Sequence, residues 1–193
     1  MKTIKSTVVL ALALAAGTVV AQQPDLSALM GALNTMMSGA TNQAAAVEVV
    51  DFRELRAMLP EKIGDYARTK SEGEKNSAMG MTLSQAMGQY AADKANMTVK
   101  LMDYGGTGVA AMMATAWTMN QVDRESDSGY ERTTEIKGHK ALERHDTDAR
   151  YGELQVLVAG RFMVEIEVRD GKPADLRAAA EALDLDKLSA LKK

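Results

Sequence analysis

The 193-residue chain has no cysteine and only 4% aromatic residues. The absence of cysteine excludes disulfide bonds and thiol chemistry. The scarcity of aromatic side chains leaves aliphatic residues and 14 methionines to fill the hydrophobic core. Basic residues are not in excess, with 23 lysines and arginines against 26 acidic residues. The chain therefore has no basic footprint for nucleic acid, and nucleic-acid binding is not predicted.

A long hydrophobic run is also missing, and the first 21 residues have the pattern of a secretory signal peptide. Lys2 and Lys5 give a positive start, residues 7–16 form a short apolar run, and Val19–Ala21 suits a cleavage site. The apolar run is shorter than the roughly 20 residues of a membrane-spanning helix. We therefore expect a cleaved signal peptide over 1–21, a periplasmic or secreted protein, and no membrane span after cleavage.

Residues 22–48 are rich in Ala, Gly, Ser, Asn and Gln and carry few charges. This composition favours a flexible linker. Leu26, Leu29 and Leu33 have helical spacing, so a short helix that binds a partner is the alternative. The remainder, 49–193, is long enough to bury one core and is predicted to form a single domain.

The start of this domain has the pattern of an amphipathic helix. Phe52, Leu55 and Leu59 lie on one helical stripe, Asp51 has the position of an N-cap, and a proline follows the stripe. The polar residues 68–78 then indicate either a loop or the edge of a sheet.

A β-hairpin is predicted next. Spacing alone allows either a helix or a strand over 81–91, but Gly80 and Gly88 weaken a helix. Residues 96–104 alternate between polar and apolar and include β-branched side chains, so they are a good strand. The two strands are joined by residues with turn composition.

The second half predicts an Ala- and Met-rich helix over 108–121, four strands over about 130–169 and a C-terminal helix. The alternation of apolar and polar residues in these strands is typical of an antiparallel sheet with one face covered. The sequence therefore predicts an α+β domain, with an antiparallel sheet of about six strands, a hairpin plus a four-stranded meander, flanked by helices.

Two methionines have the spacing of a soft metal site. Met79 and Met81 form a Met-x-Met pair of the kind that binds copper(I) through thioether sulfur. The 14 methionines, however, are spread along the whole chain. That spread favours flexible core filling, and a copper site at Met79 and Met81 is the alternative.

A glycine-rich turn precedes the helix predicted over 108–121. Gly105, Gly106 and Gly108 match part of the dinucleotide-binding fingerprint, but the preceding strand alternates and no βαβ series surrounds it. The turn could instead bind a small anion through its backbone N–H groups. A cleft beside the helix, lined by residues such as Met112 and Trp117, is a candidate ligand site.

The two histidines are weak metal candidates. His139, Glu143 and His145 share one face of a predicted strand, but the histidines lie roughly 20 Å apart along it. They cannot hold one zinc ion on a straight strand. A solvated sheet face is the favoured interpretation of all three residues.

No catalytic set is visible in the sequence. There is no Gly-x-Ser-x-Gly motif, and no hydroxyl has an evident base partner. Carboxylates that meet only in space could still form an acid pair. No cofactor is predicted.

Four segments carry a family resemblance: FRELRAMLPEKIGDY, GYERTTEIKGHKALERHD, GELQVLVAGRFMVEIEVRDG and DLRAAAEALDLDKLSAL. Through them the chain resembles a group of bacterial secreted proteins from about Val50 onward. The meander followed by a helix is similar to PsbP-like and LpqN-like domains. This resemblance implies an antiparallel sheet flanked by helices, and it implies no catalytic residue or cofactor.

The favoured function is that of a non-enzymatic exported domain that binds a partner protein or a small ligand of the cell envelope. The first alternative is a copper or anion handler that uses Met79, Met81 and the turn at 105–108. The second is an enzyme whose carboxylates converge in the folded state.

Overall fold

The computed structural model of the chain describes residues 48–78, 81–105 and 121–192, together with Met112, Thr115, Ala116 and Met119. All of these residues belong to one compact unit of the chain, which spans Asn42–Lys193. The predicted signal peptide over 1–21 and the predicted linker, except Glu48, lie outside the described residues.

Three helices and nine strands have defined bounds in this part of the chain. The helices are α1 (Phe52–Ala57), α2 (Pro173–Ala182) and α3 (Leu185–Ala190). The strands are β1 (Lys62–Ile63), β2 (Tyr66–Ala78), β3 (Met81–Ala92), β4 (Ala95–Asp103), β5 (Asp123–Ser126), β6 (Gly129–Ile136), β7 (His139–Asp146), β8 (Tyr151–Val158) and β9 (Phe162–Arg169). The four described residues between 106 and 120 are also helical.

The nine strands form one antiparallel sheet in the order β1-β2-β3-β4-β9-β8-β7-β6-β5. The sheet therefore consists of two meanders, β1–β4 and β5–β9. They are joined where β4 pairs with β9, from Asn96 opposite Arg169 to Asp103 opposite Phe162.

The predicted α+β fold class, with about six strands flanked by helices, is wrong. The described residues form a sheet of nine strands, and the bounded helices are short and all pack on one face. The predicted hairpin is present as β3 and β4, and the predicted meander as β6–β9. The sequence did not predict β1 and β5. For most of β2 it left two alternatives, a loop or the edge of a sheet. β2 and β5 are mostly exposed and polar, so backbone pairing rather than hydrophobic alternation defines them.

Residues 68–78 lie at the edge of the sheet, which was one of the two alternatives. The short strand β1 pairs only with Tyr66 and Ala67, so the rest of β2 has no outer neighbour among the described strands. Lys70, Glu72 and other charged side chains occupy this edge, which is how proteins discourage pairing with another chain.

Residues at the helix N-termini explain where each helix begins. The Asp51 side chain accepts a hydrogen bond from the Arg53 N–H at 2.7 Å, so it is the N-cap of α1. Helix α2 begins at Pro173, where a missing N–H is tolerated, and Asp184 caps α3 through the Lys187 N–H at 2.9 Å. The Tyr66 hydroxyl donates to Asp175 at 2.8 Å and so links β2 to α2.

The main hydrophobic core lies between the helices and one face of the sheet, here called the covered face. Alternate residues of β9 point into it, and Leu55, Leu176 and Leu188 contribute from the helices. Fully buried large side chains include Tyr90, Phe162, Leu101, Leu154 and Ile166.

The opposite side of the sheet is here called the open face. It carries a second, smaller apolar cluster of Met102, Leu157 and Met163, with Leu83 and Tyr104 packed against it. Across the described residues, no helix is both long enough and apolar enough to cross a membrane.

A buried ion pair joins three segments at one end of the sheet. Asp103, at the end of β4, accepts hydrogen bonds from the Arg161 Nε at 2.8 Å and the Arg161 Nη2 at 2.7 Å. The same carboxylate accepts from the Val50 N–H at 2.7 Å and the Gly105 N–H at 2.8 Å. The pair therefore fixes the segment before α1, the turn after β4 and the turn before β9.

Candidate ligand-binding groove

A groove of about 590 Å³ lies on the open face, between the β2–β3 hairpin and the central strands β4 and β9. This volume is within the range of small-molecule sites. Its lining residues are Glu72, Gly73, Glu74, Gln85, Met87, Lys100, Met102 and Glu165.

Strand register sets the order of these side chains across the groove. Glu72 of β2 is opposite Met87 of β3, Met87 is opposite Lys100 of β4, and Lys100 is opposite Glu165 of β9. Neighbouring strands are about 4.8 Å apart, so the two glutamates at the ends of this row are separated by roughly 14 Å. The row therefore has an acidic group at each end and a methionine and a lysine between them.

The adjacent row also begins with a glutamate on β2. Glu74 is opposite Gln85, and Gln85 is opposite Met102. The Gln85 side-chain amide donates to Glu74. Glu72 forms an exposed ion pair with Lys70 at 2.5 Å. Met87 and Met102 are thus the large apolar side chains of the lining, with charged and amide side chains beside them.

Lys100 is held by two carboxylates at the β9 end. Its Nζ lies 2.5 Å from Glu165 Oε1 and 2.9 Å from Glu167 Oε1. Burial lowers the pKa of Lys100, but its hydrogen bonds to Glu165 and Glu167 outweigh this effect and raise its pKa above the usual range. The amine is therefore a permanent ammonium at neutral pH and cannot act as a nucleophile or a base.

Glu165 and Glu167 differ in their affinity for protons. Burial raises the pKa of Glu165; the hydrogen bond from Lys100 opposes this rise, and the adjacent Glu167 adds to it. Burial acts in the same direction on Glu167, but hydrogen bonds from Lys100 and Glu165 outweigh it and lower the pKa of Glu167. Glu165 is therefore the first of the two to become protonated as the pH falls.

The groove and its rim carry more negative than positive charge. Lys70 and Lys100 are the ammonium groups, and each is already in contact with a carboxylate. The carboxylates outnumber them by two and are Glu72, Glu74, Glu165 and Glu167. The arrangement is therefore suited to a ligand with positive charge.

Of the sequence-predicted site residues, the structure describes Gly105, Met112 and the backbone of Met81. Gly105 is buried in the turn after β4 with φ +62°, and its N–H donates to Asp103. The Met112 side chain is 59% exposed. Met81 pairs with Ala78 through the strand backbone. Outside the described residues lie Met79, Gly106, Gly108, Trp117 and the side chain of Met81.

The solvated-face interpretation of His139, Glu143 and His145 is wrong for Glu143, whose side chain is 1% exposed. It lies on the covered face beside α2, and both histidines are partly buried. The apolar Ala141 has the same strand parity as Glu143 and is fully buried, so it was the signal in the sequence that this side of the strand is covered.

The groove residues were missed for a different reason. Glutamates two residues apart, as at Glu72 and Glu74 or Glu165 and Glu167, indicate an acidic strand face. That signal was available, but it does not say that β2 and β9 belong to one sheet, three strands apart and on opposite sides of β4.

No protein-family model matches the chain, and neither does any curated protein or any solved structure. The geometry of the groove is therefore the basis for its function.

Proposed function

We propose that this protein is a non-enzymatic, exported binding protein whose open-face groove holds a small linear polyamine. The observation that carries the proposal is the register row with a carboxylate at each end and Met87 and Lys100 between them, the lysine being already paired with Glu165 and Glu167. The leader pattern over 1–21 supports export to the periplasm or beyond.

The chemistry of the groove supports an aliphatic ligand with several amino groups. Ammonium groups form strong charge-assisted hydrogen bonds with carboxylates, which are present at both ends. The methylene chain between the amino groups would contact the flexible thioether side chains of Met87 and Met102. One lysine shared between Glu165 and Glu167 leaves a negative charge for the ligand to neutralise.

Binding rather than catalysis is supported by the protonation states around the groove. Lys100 is held as an ammonium by Glu165 and Glu167. Burial raises the pKa of Tyr104, and the Glu165 carboxylate adds to this rise, so the phenol stays neutral at physiological pH. Neither side chain is therefore an activated base or nucleophile.

Calorimetric titration of the purified protein with spermidine and with butylamine tests the proposal. We expect spermidine to bind more tightly than the monoamine, because only spermidine can reach carboxylates at both ends. Glu72→Gln and Glu165→Gln, at the two ends of the row, should each weaken spermidine binding about tenfold, the effect of losing one charge-assisted hydrogen bond.

Glu135→Gln is the matched control, because Glu135 is an exposed carboxylate on β6, away from the groove. Equal spermidine affinity in the wild type and in the Glu72/Glu165 double variant would reject the groove as the site. Binding of a lysine-rich peptide without binding of spermidine would replace the small ligand with a protein partner.

Spermidine affinity should fall as the pH is lowered from about 7 to about 5. The carboxylate of Glu165, whose pKa is raised, becomes protonated first and loses its charge, whereas the amines of the ligand stay charged. The charged groups that face it are Lys100 and Glu167. Calorimetry at several pH values checks this, and the decline should be shallower in Glu165→Gln. Parallel pH profiles for the two proteins would contradict the assignment to Glu165.

A further inference from the structure

A second cluster of charged side chains lies on the covered face, on the other side of the sheet from the groove. Its centre is the buried Glu143 of β7. Arg132 is directly opposite on β6, Tyr130 is two residues away on the same strand, and Arg177 reaches in from α2.

Three donors converge on the two oxygens of Glu143. The Tyr130 hydroxyl donates to Oε1 at 2.6 Å, and the Arg132 Nη2 donates to the same oxygen at 3.1 Å. The Arg177 Nη2 donates to Oε2 at 2.5 Å. Burial raises the pKa of Glu143, but these hydrogen bonds outweigh it and lower the pKa, so the group is a carboxylate at neutral pH.

The carboxylate is buried, but the two guanidinium groups reach solvent. The side chain of Glu143 is 1% exposed, whereas those of Arg132 and Arg177 are 43% and 44% exposed. Both arginines therefore contact the same buried carboxylate, one at each oxygen, while part of each side chain is open to solvent.

The cluster holds one more positive charge than the burial of Glu143 needs. One guanidinium neutralises one carboxylate, so the second is surplus. Each guanidinium has five N–H donors and donates only one hydrogen bond to Glu143. The Nε of Arg132 is buried and has no hydrogen-bond partner. The charge of Asp123, opposite Arg132 on β5, acts on Arg132 at longer range, with no ion pair between the two in the described structure.

Aromatic stacking fixes the orientation of the site. The Arg132 guanidinium lies 4.4 Å from the centre of the Tyr130 ring. The Tyr130 ring in turn stacks on His145, with 5.9 Å between the ring centres and 23° between their planes. A guanidinium held in this way loses little conformational freedom when an anion binds.

We propose that Arg132 and Arg177 form a second binding site, which takes a phosphate group. Paired guanidiniums match the oxygens of phosphate with parallel N–H···O hydrogen bonds, and the fixed geometry favours a multiply charged oxyanion over chloride. The site lies on the covered face and is separate from the proposed polyamine groove. Failure of one proposal therefore does not affect the other.

Calorimetric titration of the purified protein with inorganic phosphate and with glycerol 3-phosphate tests the proposal. Comparable binding of both would indicate recognition of the phosphate group alone, whereas tighter binding of the ester would indicate a phosphorylated organic ligand. Arg177→Gln should weaken phosphate binding about tenfold, because it removes one charged donor and leaves Arg132 to neutralise Glu143.

The matched control is Arg144→Gln, since Arg144 is a half-exposed arginine on the same strand as Glu143 but on the open face, paired with Glu153. Phosphate affinity should be unchanged in this variant. Unaltered affinity in Arg177→Gln, or no binding of either compound at millimolar concentration, would overturn the proposal.

Glu143→Gln should strengthen phosphate binding, whereas Arg177→Gln should weaken it. An arginine pair that serves only to bury Glu143 would gain no ligand affinity when its carboxylate is neutralised. A phosphate site should bind several-fold more tightly, because the competing negative charge beneath it is gone. Thermal melting of each variant shows that the fold is kept, and phosphate should raise the melting temperature of the wild type by mass action. Weaker phosphate binding in a folded Glu143→Gln variant would contradict the proposal.

Discussion

Replacement of Asp103 with alanine is expected to lower the free energy of unfolding by about 3–5 kcal/mol. The Asp103 and Arg161 side chains are 0% and 5% exposed, and two hydrogen bonds join them. The substitution leaves the Arg161 guanidinium buried without its counter-charge, and an unpaired buried charge is strongly destabilising. Urea denaturation followed by circular dichroism measures the loss.

Further contacts of the pair add to the effect. The Arg161 Nη2 also donates to the Glu48 carbonyl at 2.8 Å, and the Val50 and Gly105 N–H groups depend on Asp103 as their acceptor. The Nη1 of Arg161 has no hydrogen-bond partner in the described structure. Three segments would therefore lose their common anchor together.

The matched control is Arg144→Ala, which breaks a partly exposed ion pair with Glu153 at 3.2 Å. Pairs of this kind contribute at most about 1 kcal/mol. The double variant Asp103→Leu/Arg161→Met should recover part of the stability lost in Asp103→Ala, because no charge then remains buried. Equal losses in Asp103→Ala and Arg144→Ala would show that the buried pair does not anchor the fold.

Gly129→Ala is expected to destabilise the protein by about 2–4 kcal/mol. Gly129 begins β6 with φ +145°, a conformation that other residues rarely adopt. A Cβ atom at this position would lie 2.0 Å from the carbonyl oxygen of His145, which belongs to the backbone of the paired strand. The backbone of the β6–β7 hairpin would therefore have to move, and urea denaturation reports the cost.

Gly160→Ala separates the conformational penalty of a positive φ from the cost of the steric clash. Gly160 also has a positive φ, of +64°, but no atom lies within 4 Å of its hypothetical Cβ. This variant carries only the conformational penalty of about 1–2 kcal/mol. Similar losses in the two variants would mean that the clash with His145 relaxes without cost.

Much of the sheet could be predicted from the sequence because its inner strands bury one face. The alternation in 96–104 and in 151–169 marks β4, β8 and β9, and Asp51 marks the start of α1. The strand β2 has no such signal, because its residues from Arg68 onward are polar and mostly exposed. Its place depends on pairing with β3, which local composition does not encode.

The groove could not be predicted, since it depends on a contact between distant parts of the chain. Lys100 meets Glu165 only because β4 pairs with β9, and no pattern within either strand specifies that neighbour. The burial of Glu143 was within reach of a parity argument from Ala141. Its partners, Arg132 and Arg177, come from a neighbouring strand and from a helix, and only the folded state places them together.

The junction between the two meanders has a consequence for how the chain folds. Each meander can form from local hairpins, which close quickly, but β4 and β9 meet only after the long connection between them is closed. Until then both strands are open sheet edges with buried-type residues, such as Leu101 and Val164. The half-formed chain is therefore most vulnerable to pairing with other chains at these two strands. Asp103, at the end of the junction, then closes on Arg161 and secures it.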